Sequence, residues 1–212
     1  MSHKIFVMAD PHFGHWSLFK FKREDGSPLR PLWDNPNDMD EDLIKWHNEI
    51  VRPVDKVYYL GDIAMKKQAM DAVMPRLNGH KVLIKGNHDI FQAKDYLKYF
   101  KDIRAYHRLD CHWMSHVPVH PGSLGTNIAN FQGHIHARQV LLPDGTPDSR
   151  YFCVSVERPE VNYRPLEWSC ALAYVKERQE KYPPITQTTQ TTQITHGDKE
   201  KTEIEIGGVA SQ

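Results

Sequence analysis

An α/β fold built from two packed sheets is what the amino-acid order predicts, and three observations predict it. Short apolar, β-prone runs alternate with amphipathic helical stretches as far as Phe100, the βαβαβ pattern of a largely parallel sheet flanked by helices. From Tyr106 to Val156 strands follow one another with no helix between them, which points to a second sheet packed on the first. A hydrophobic share of 40% in 212 residues is enough to fill the core of one domain of ordinary size.

The first strand is Lys4 to Ala9, ending at Asp10. From Pro11 to about Asn37 the chain is polar and carries Pro and Gly, too irregular for one long element. A helix follows, with Asp38 placed to cap it and Met39, Leu43, Trp46 and Ile50 on one face; Pro53 stops it. The second strand, Lys56 to Leu60, runs into Gly61-Asp62. An amphipathic helix near Lys67 to Leu77 carries Met70, Val73, Met74 and Leu77, with Pro75 as a local disturbance. The third strand, Lys81 to Ile84, runs into Gly86-Asn87-His88-Asp89, and a short helix spans about Lys94 to Phe100. Three strands come next: Tyr106 to Ser115 leading into His116, Asn130 to Gln132 leading into Gly133-His134-Ile135-His136, and Tyr151 to Val156. A helix from about Trp168 to Glu180 closes the domain, with strand as the alternative for Pro165 to Ala173. Beyond Pro183-Pro184, the run TQTTQTTQIT and a charged end hold few large apolar residues to offset the entropy of ordering. The expected division is a domain over residues 1–182 and a low-complexity, disordered tail over 183–212. The alternative adds Thr202 to Ile206 as an edge strand.

Lys plus Arg equals Asp plus Glu at 27 each, so no net charge draws the chain onto nucleic acid or a membrane. The three cysteines have no CxxC spacing and read as reduced thiols of a cytosolic protein. The apolar run Ile5 to Ala9 is shorter than the apolar region of a signal peptide, and no later run approaches a membrane span. A soluble, cytoplasmic protein is expected.

Of the 13 histidines, several sit beside Asp, Asn and Gly in short clusters. Four clusters stand out: Asp10-Pro11-His12, Gly61-Asp62, Gly86-Asn87-His88-Asp89 and Gly133-His134-Ile135-His136, each after a strand. Loops at the carboxyl ends of parallel strands converge on one crevice, so these distant residues should meet. Carboxylates, imidazoles and one amide form a mixed O/N donor set that suits Mn, the first expectation, or Fe, Ni, Co or Zn. No thiolate takes part, which excludes a Cys-rich structural zinc site. Two ions roughly 3.5–4 Å apart, sharing a carboxylate and a hydroxide, form the general arrangement for phosphate ester hydrolysis. Gly61, Gly86 and Gly133 precede ligands at points of close approach, where a side chain would push the ligand away.

The order D-x-H, G-D, G-N-H-D, H, G-H-x-H, from Asp10 to His136 over about three fifths of the chain, resembles the calcineurin-like metallophosphoesterase superfamily. Asp10-Pro11-His12-Phe13-Gly14-His15 resembles the opening of its compact bacterial and phage-type members. The resemblance implies a four-layer α/β/β/α sandwich of two mixed sheets flanked by helices, with a dimetal site at the strand carboxyl ends. It implies that Asp10, His12 and His136 hold one divalent metal ion, that Asn87, His116 and His134 hold a second, and that Asp62 bridges them. His88 would face the scissile phosphate, donating a proton to the leaving oxygen or stabilising developing charge; its protonated form serves best, so activity should fall as it deprotonates. The implied reaction is hydrolysis of a small-molecule phosphate ester by a metal-bridging hydroxide, foremost a phosphodiester of a nucleotide or other small molecule, with a phosphomonoester as the alternative. Protein Ser/Thr phosphatases of the superfamily carry an Arg soon after G-D and an Asp that orients the catalytic His. Gly61 to Lys66 supplies neither, so phosphoprotein recognition does not carry over and the group orienting His88 is unassigned.

Plainer readings stand beside these. Asp10 and Asp62 can be turn residues after strands, and Gly86-Asn87 is a good turn pair. His116 ends its run just before a Pro turn; His120 is the alternative ligand and His112 a satisfied strand histidine. His15 and His120 are candidate substrate contacts at the pocket rim, with a plain surface position as the other reading of His15. His47, His80 and His107 read as structural. Trp16, Phe19, Phe21 and Trp33 pack the early loop or stack a nucleotide base, and Lys20, Lys22, Arg23 and Arg30 read by default as solvated, since Glu24 and Asp25 interrupt the run, with contact to phosphate as the alternative. Two further function classes are a non-catalytic metal-binding scaffold, which has no chemical use for His88, and a nucleic-acid-binding module, disfavoured by the charge balance.

Overall fold

The structure, a computed structural model, describes residues 2–184; the Thr202 to Ile206 alternative and nearly all of the expected tail lie outside the described residues. Among the described residues nine strands form two mixed sheets flanked by helices, the fold class expected. The first sheet has the order β4-β3-β2-β1-β9, from β1 (Ile5–Met8), β2 (Lys56–Tyr59), β3 (His80–Ile84), β4 (Asp102–Arg104) and β9 (Leu166–Glu167). Its first four strands run parallel and β9 pairs antiparallel with β1. The second sheet has the order β5-β6-β7-β8, from β5 (Tyr106–Leu109), β6 (His112–Ser115), β7 (Ala129–Gln132) and β8 (Tyr151–Cys153), parallel except for the β5–β6 hairpin.

Strand alternation sorts the core into two. Phe6, Met8, Val57, Tyr59 and Leu83 pack with Met39, Leu43, Met70 and Met74 from the helical side. Val7, Tyr58, Leu60, Val82 and Ile84 pack instead with Met114, Phe131 and Phe152 of the second sheet. Because β1 to β3 are covered on both faces, the stretches Phe6–Ala9, Val57–Leu60 and Val82–Ile84 are apolar without interruption. Helices α1 (Pro36–Ile50), α2 (Lys67–Val73) and α3 (Ala93–Tyr96) precede or follow these strands, and α4 (Trp168–Lys181) buries Trp168, Ala171 and Val175 in the second core.

Several expectations need adjustment. The cap of α1 is Asn35, whose side chain accepts the Asp38 N–H at 3.0 Å, because Pro36 takes the first helical position, where its missing N–H costs nothing. The strand expected over Tyr106 to Ser115 is a hairpin: Asp110 and Cys111 take φ of 47° and 60°, the paired left-handed conformation of a two-residue turn. Strand β4 has no counterpart in the sequence reading, and α3 is shorter than its expected span. Pro75 does end α2 in a single 3-10 turn, Met74–Arg76. Past β8 the chain crosses between sheets: Val154 O accepts from Ala9 N–H at 2.9 Å and Ala9 O from Val156 N–H at 3.0 Å. This seam makes β1 and the continuation of β8 parallel, so β1, β2, β3, β6 and β7 all end at one edge of the molecule. Among the described residues no helix is long and apolar enough to cross a membrane.

Candidate metal centre

Each of those five strands delivers a loop to the same place. Asp10, His12 and His136 bring one ligand atom apiece within 4.8 Å of one another, and so do Asp62, His116 and His134. Asn87 joins the second group, its Oδ1 standing 2.8 Å from His116 Nε2 and 2.9 Å from His134 Nδ1. Asp62 Oδ2 lies between the groups, 3.7 Å from His12 Nε2 and 3.4 Å from His116 Nε2. Asp10 Oδ1 and both ring nitrogens of His12 are buried without a hydrogen-bond partner. Buried polar atoms are rarely left so, and a divalent cation is the partner that satisfies a carboxylate oxygen and an imidazole nitrogen together. The donor set therefore fits two cations.

The backbone is bent to make this possible. Asp10, His12, Asp62, His134 and His136 take φ between 50° and 66°, a region that costs non-glycine residues energy and gathers at functional sites. Gly61, Gly86 and Gly133 all stand at points of close approach. A Cβ on Gly133 would stand 2.5 Å from Asp10 Oδ2, and one on Gly86 would stand 2.6 Å from the Asp62 backbone nitrogen.

A family model for calcineurin-like phosphoesterases matches residues 3–199, a span that runs past residue 182. The chain belongs to this family. The uncharacterized protein MJ1445 of Methanocaldococcus jannaschii is 32% identical to this calcineurin-like phosphoesterase over 167 residues, covering 77% of this chain and 86% of that protein. The crystal structure of AQ665 from Aquifex aeolicus, a protein of unknown function, matches with a TM-score of 0.58 over 82% of this chain and 100% of that one. At 18% identity, this is a likeness of fold.

The candidate ligands are held by residues that the motifs did not reveal. Asp10 Oδ2 accepts from the Ser155 hydroxyl at 2.5 Å and the His134 N–H at 2.9 Å. Arg30, read from sequence as solvated, is fully buried: it donates to Pro11 O at 2.8 Å, to Asp10 O, and to Glu157 Oε2 at 3.2 Å. Glu157 in turn accepts from His136 Nδ1, which leaves Nε2 free to bind a metal. His116 Nδ1 donates to Leu60 O at 2.7 Å and likewise frees its Nε2. Asp89 accepts from the backbone N–H groups of Asp62 (2.8 Å), Ile63 (3.0 Å) and Gly86 (2.8 Å), stapling two ligand loops together. Asp40 accepts the Gly14 N–H at 3.0 Å. Asp89 sits inside a motif that gave it no role of its own; Glu157, Ser155, Arg30 and Asp40 stand in no motif and gain meaning only from the fold.

Charge and burial pull the groups in opposite directions. Burial pushes the Asp10 carboxyl up to about 6, against the opposing charges of His136 and His116. Burial drives His12 well down, assisted by Arg30. Although burial acts to lower it, His116 is raised to about 9 by its hydrogen bond to Asp62 and by the Asp10 and Asp62 charges. His136 is raised by Glu157 against the same desolvation.

His88 is exposed; its backbone N–H donates to Asp62 Oδ1 at 2.8 Å and its ring lies 5.6 Å from that of His12. The half-buried His15 ring is 5.3 Å from His12. His120 is exposed and accepts the Gly122 N–H at 3.1 Å as the cap of a 3-10 turn, and it is His116 whose ring stands with Asp62 and His134. His112 Nδ1 donates to Asp110 O at 2.6 Å, and buried His47 bonds Tyr59 at 2.9 Å.

Proposed function

We propose that this calcineurin-like phosphoesterase hydrolyses a phosphodiester of a nucleotide or other small molecule. It would do so with two divalent cations, foremost Mn, held by Asp10, His12 and His136 on one side and Asn87, His116 and His134 on the other. The observation that carries this reading is the position of Asp62 Oδ2, one carboxylate oxygen within 3.7 Å of His12 Nε2 and 3.4 Å of His116 Nε2. Bound there, such cations supply Lewis acidity toward phosphoryl oxygens and a strong nucleophile near neutral pH.

The chain's own groups supply the rest. Arg30, Ser155 and Glu157 fix the ligands before substrate arrives, so little reorganisation accompanies the reaction. His88, exposed at the mouth and tied through its backbone to Asp62, donates a proton to the leaving oxygen. His15 forms part of the rim beside His12. Three free thiols support a cytoplasmic location.

Assay of the protein loaded in turn with Mn, Ni, Co and Zn on generic aryl phosphodiester and phosphomonoester substrates tests the reading. Diester turnover exceeding monoester turnover is expected. The reverse order would favour the monoesterase alternative, and no turnover with any of the four metals would contradict the enzyme reading.

A further inference from the structure

An open groove of about 830 Å³ leads outward from His136, walled by the loop around Phe21 on one side and Ala137 and Arg138 on the other. Lys20, Lys22 and Arg138 line it, all exposed, and no carboxylate pairs with any of them among the described residues. Two acids also border the groove. Asp25 is engaged in its own turn, accepting from Ser27 N–H at 2.9 Å and the Ser27 hydroxyl at 2.6 Å, so Glu24 is the one acid facing the three cations. Unpaired cations gathered beside a phosphoesterase site in a chain with no net charge favour an anionic occupant.

The aromatic residues of the early loop divide in two. Trp33 is 7% exposed and Phe19 packs against the core, which meets the packing reading. Phe21 is 49% exposed on the groove wall, edge-on to His15 at 6.2 Å. A half-exposed aromatic ring beside unpaired cations is the pairing that recognises a nucleotide: a base stacks and a phosphate is neutralised.

We propose that the groove holds a nucleoside monophosphate portion of the substrate, which makes the substrate class a nucleoside pyrophosphate diester. The base lies on Phe21, the inner phosphate meets Lys20, Lys22 and Arg138, and the outer phosphorus is at the metal centre. This rests on the phosphodiesterase reading above. The oxygen of one water bonds to the outer phosphorus; the bridging oxygen leaves with the bond pair on the nucleoside monophosphate. Of the two water protons, one goes to the leaving oxygen and the other to solvent.

Isothermal titration of the Mn-loaded full chain with α,β-methylene-ADP and with inorganic phosphate provides the test. The nucleotide analogue should bind at least about tenfold tighter than phosphate, a ratio within the range of one stacked base. Phe21→Leu should cut that ratio about fivefold or more, and Phe21→Trp should restore it, which separates loss of the ring face from misfolding. The double variant Lys22→Ala/Arg138→Ala should also cut it and flatten its dependence on salt. A ratio near one, a ratio unmoved by either variant, or tighter binding of a single-stranded oligonucleotide would overturn the proposal. Aryl diester turnover with a ratio near one would sink this inference alone; a high ratio without turnover would sink the catalytic reading alone.

Discussion

The two ligand groups are held in different ways. Asp10 and His12 are buried, and the first group is fixed by side chains: Ser155 on Asp10, Glu157 on His136, and Arg30 spanning from the Asp10 carbonyl to Glu157. In the second group Asn87 and His134 are exposed; the Leu60 carbonyl holds His116, and the Asp89 carboxylate gathers three backbone N–H groups of the loops rather than the side chains of Asn87 and His134. A buried ion pair such as Arg30–Glu157 gains little net stability, because desolvation offsets most of the attraction. Its contribution is to fix geometry. The difference makes the first group the more enclosed of the two and the second the more open.

Substitutions can break or sharpen this contrast. The largest effect is expected at the shared residue: Asp62→Asn should lower turnover about 10³-fold, since both groups lose their common carboxylate. A milder loss confined to one metal equivalent would assign Asp62 to one group only. On the open side, His88→Ala should lower turnover about 10²-fold with metal content intact by elemental analysis. Loss of metal in step with activity would make His88 structural instead.

On the closed side, Glu157→Gln should weaken one of two metal equivalents by about tenfold or more in a chelator competition, leaving the other less affected. It should also destabilise the fold by about 3 kcal/mol, since Arg30 is then buried without its partner. Equal weakening of both equivalents would erase the distinction between the groups. The smallest effect concerns Asp40, behind Gly14 on the closed side, whose carboxyl burial raises to about 7. The folded chain thus keeps a proton that the unfolded chain releases near 3.8, so this contribution to stability is full below that pH and lost as pH rises through about 7. Asp40→Asn should flatten that decline in melting temperature; an unchanged slope would remove Asp40 as its source.

The parts legible in sequence are those with local signals. The loops of Asp10, Asp62, Asn87 and His134 each follow an apolar run, and the rule that parallel strands gather their carboxyl-end loops predicted one site. The hairpin at Asp110-Cys111 was not legible because neither residue is the glycine that usually marks such a turn. Strand β4 is three residues, Asp102–Arg104, too short to show a period. Arg30 and Glu157 carry no local signal at all: an arginine in a polar loop reads as solvated, and only the fold brings it to a carboxylate 127 positions away.

The central claim is that Asp62 couples two cations into one site. Electron paramagnetic resonance of the chain during titration with Mn tests it most directly. The account predicts saturation at two equivalents with an exchange-coupled spectrum that Asp62→Asn abolishes. Saturation at one equivalent, or two ions with only the hyperfine sextet of isolated Mn, would contradict it.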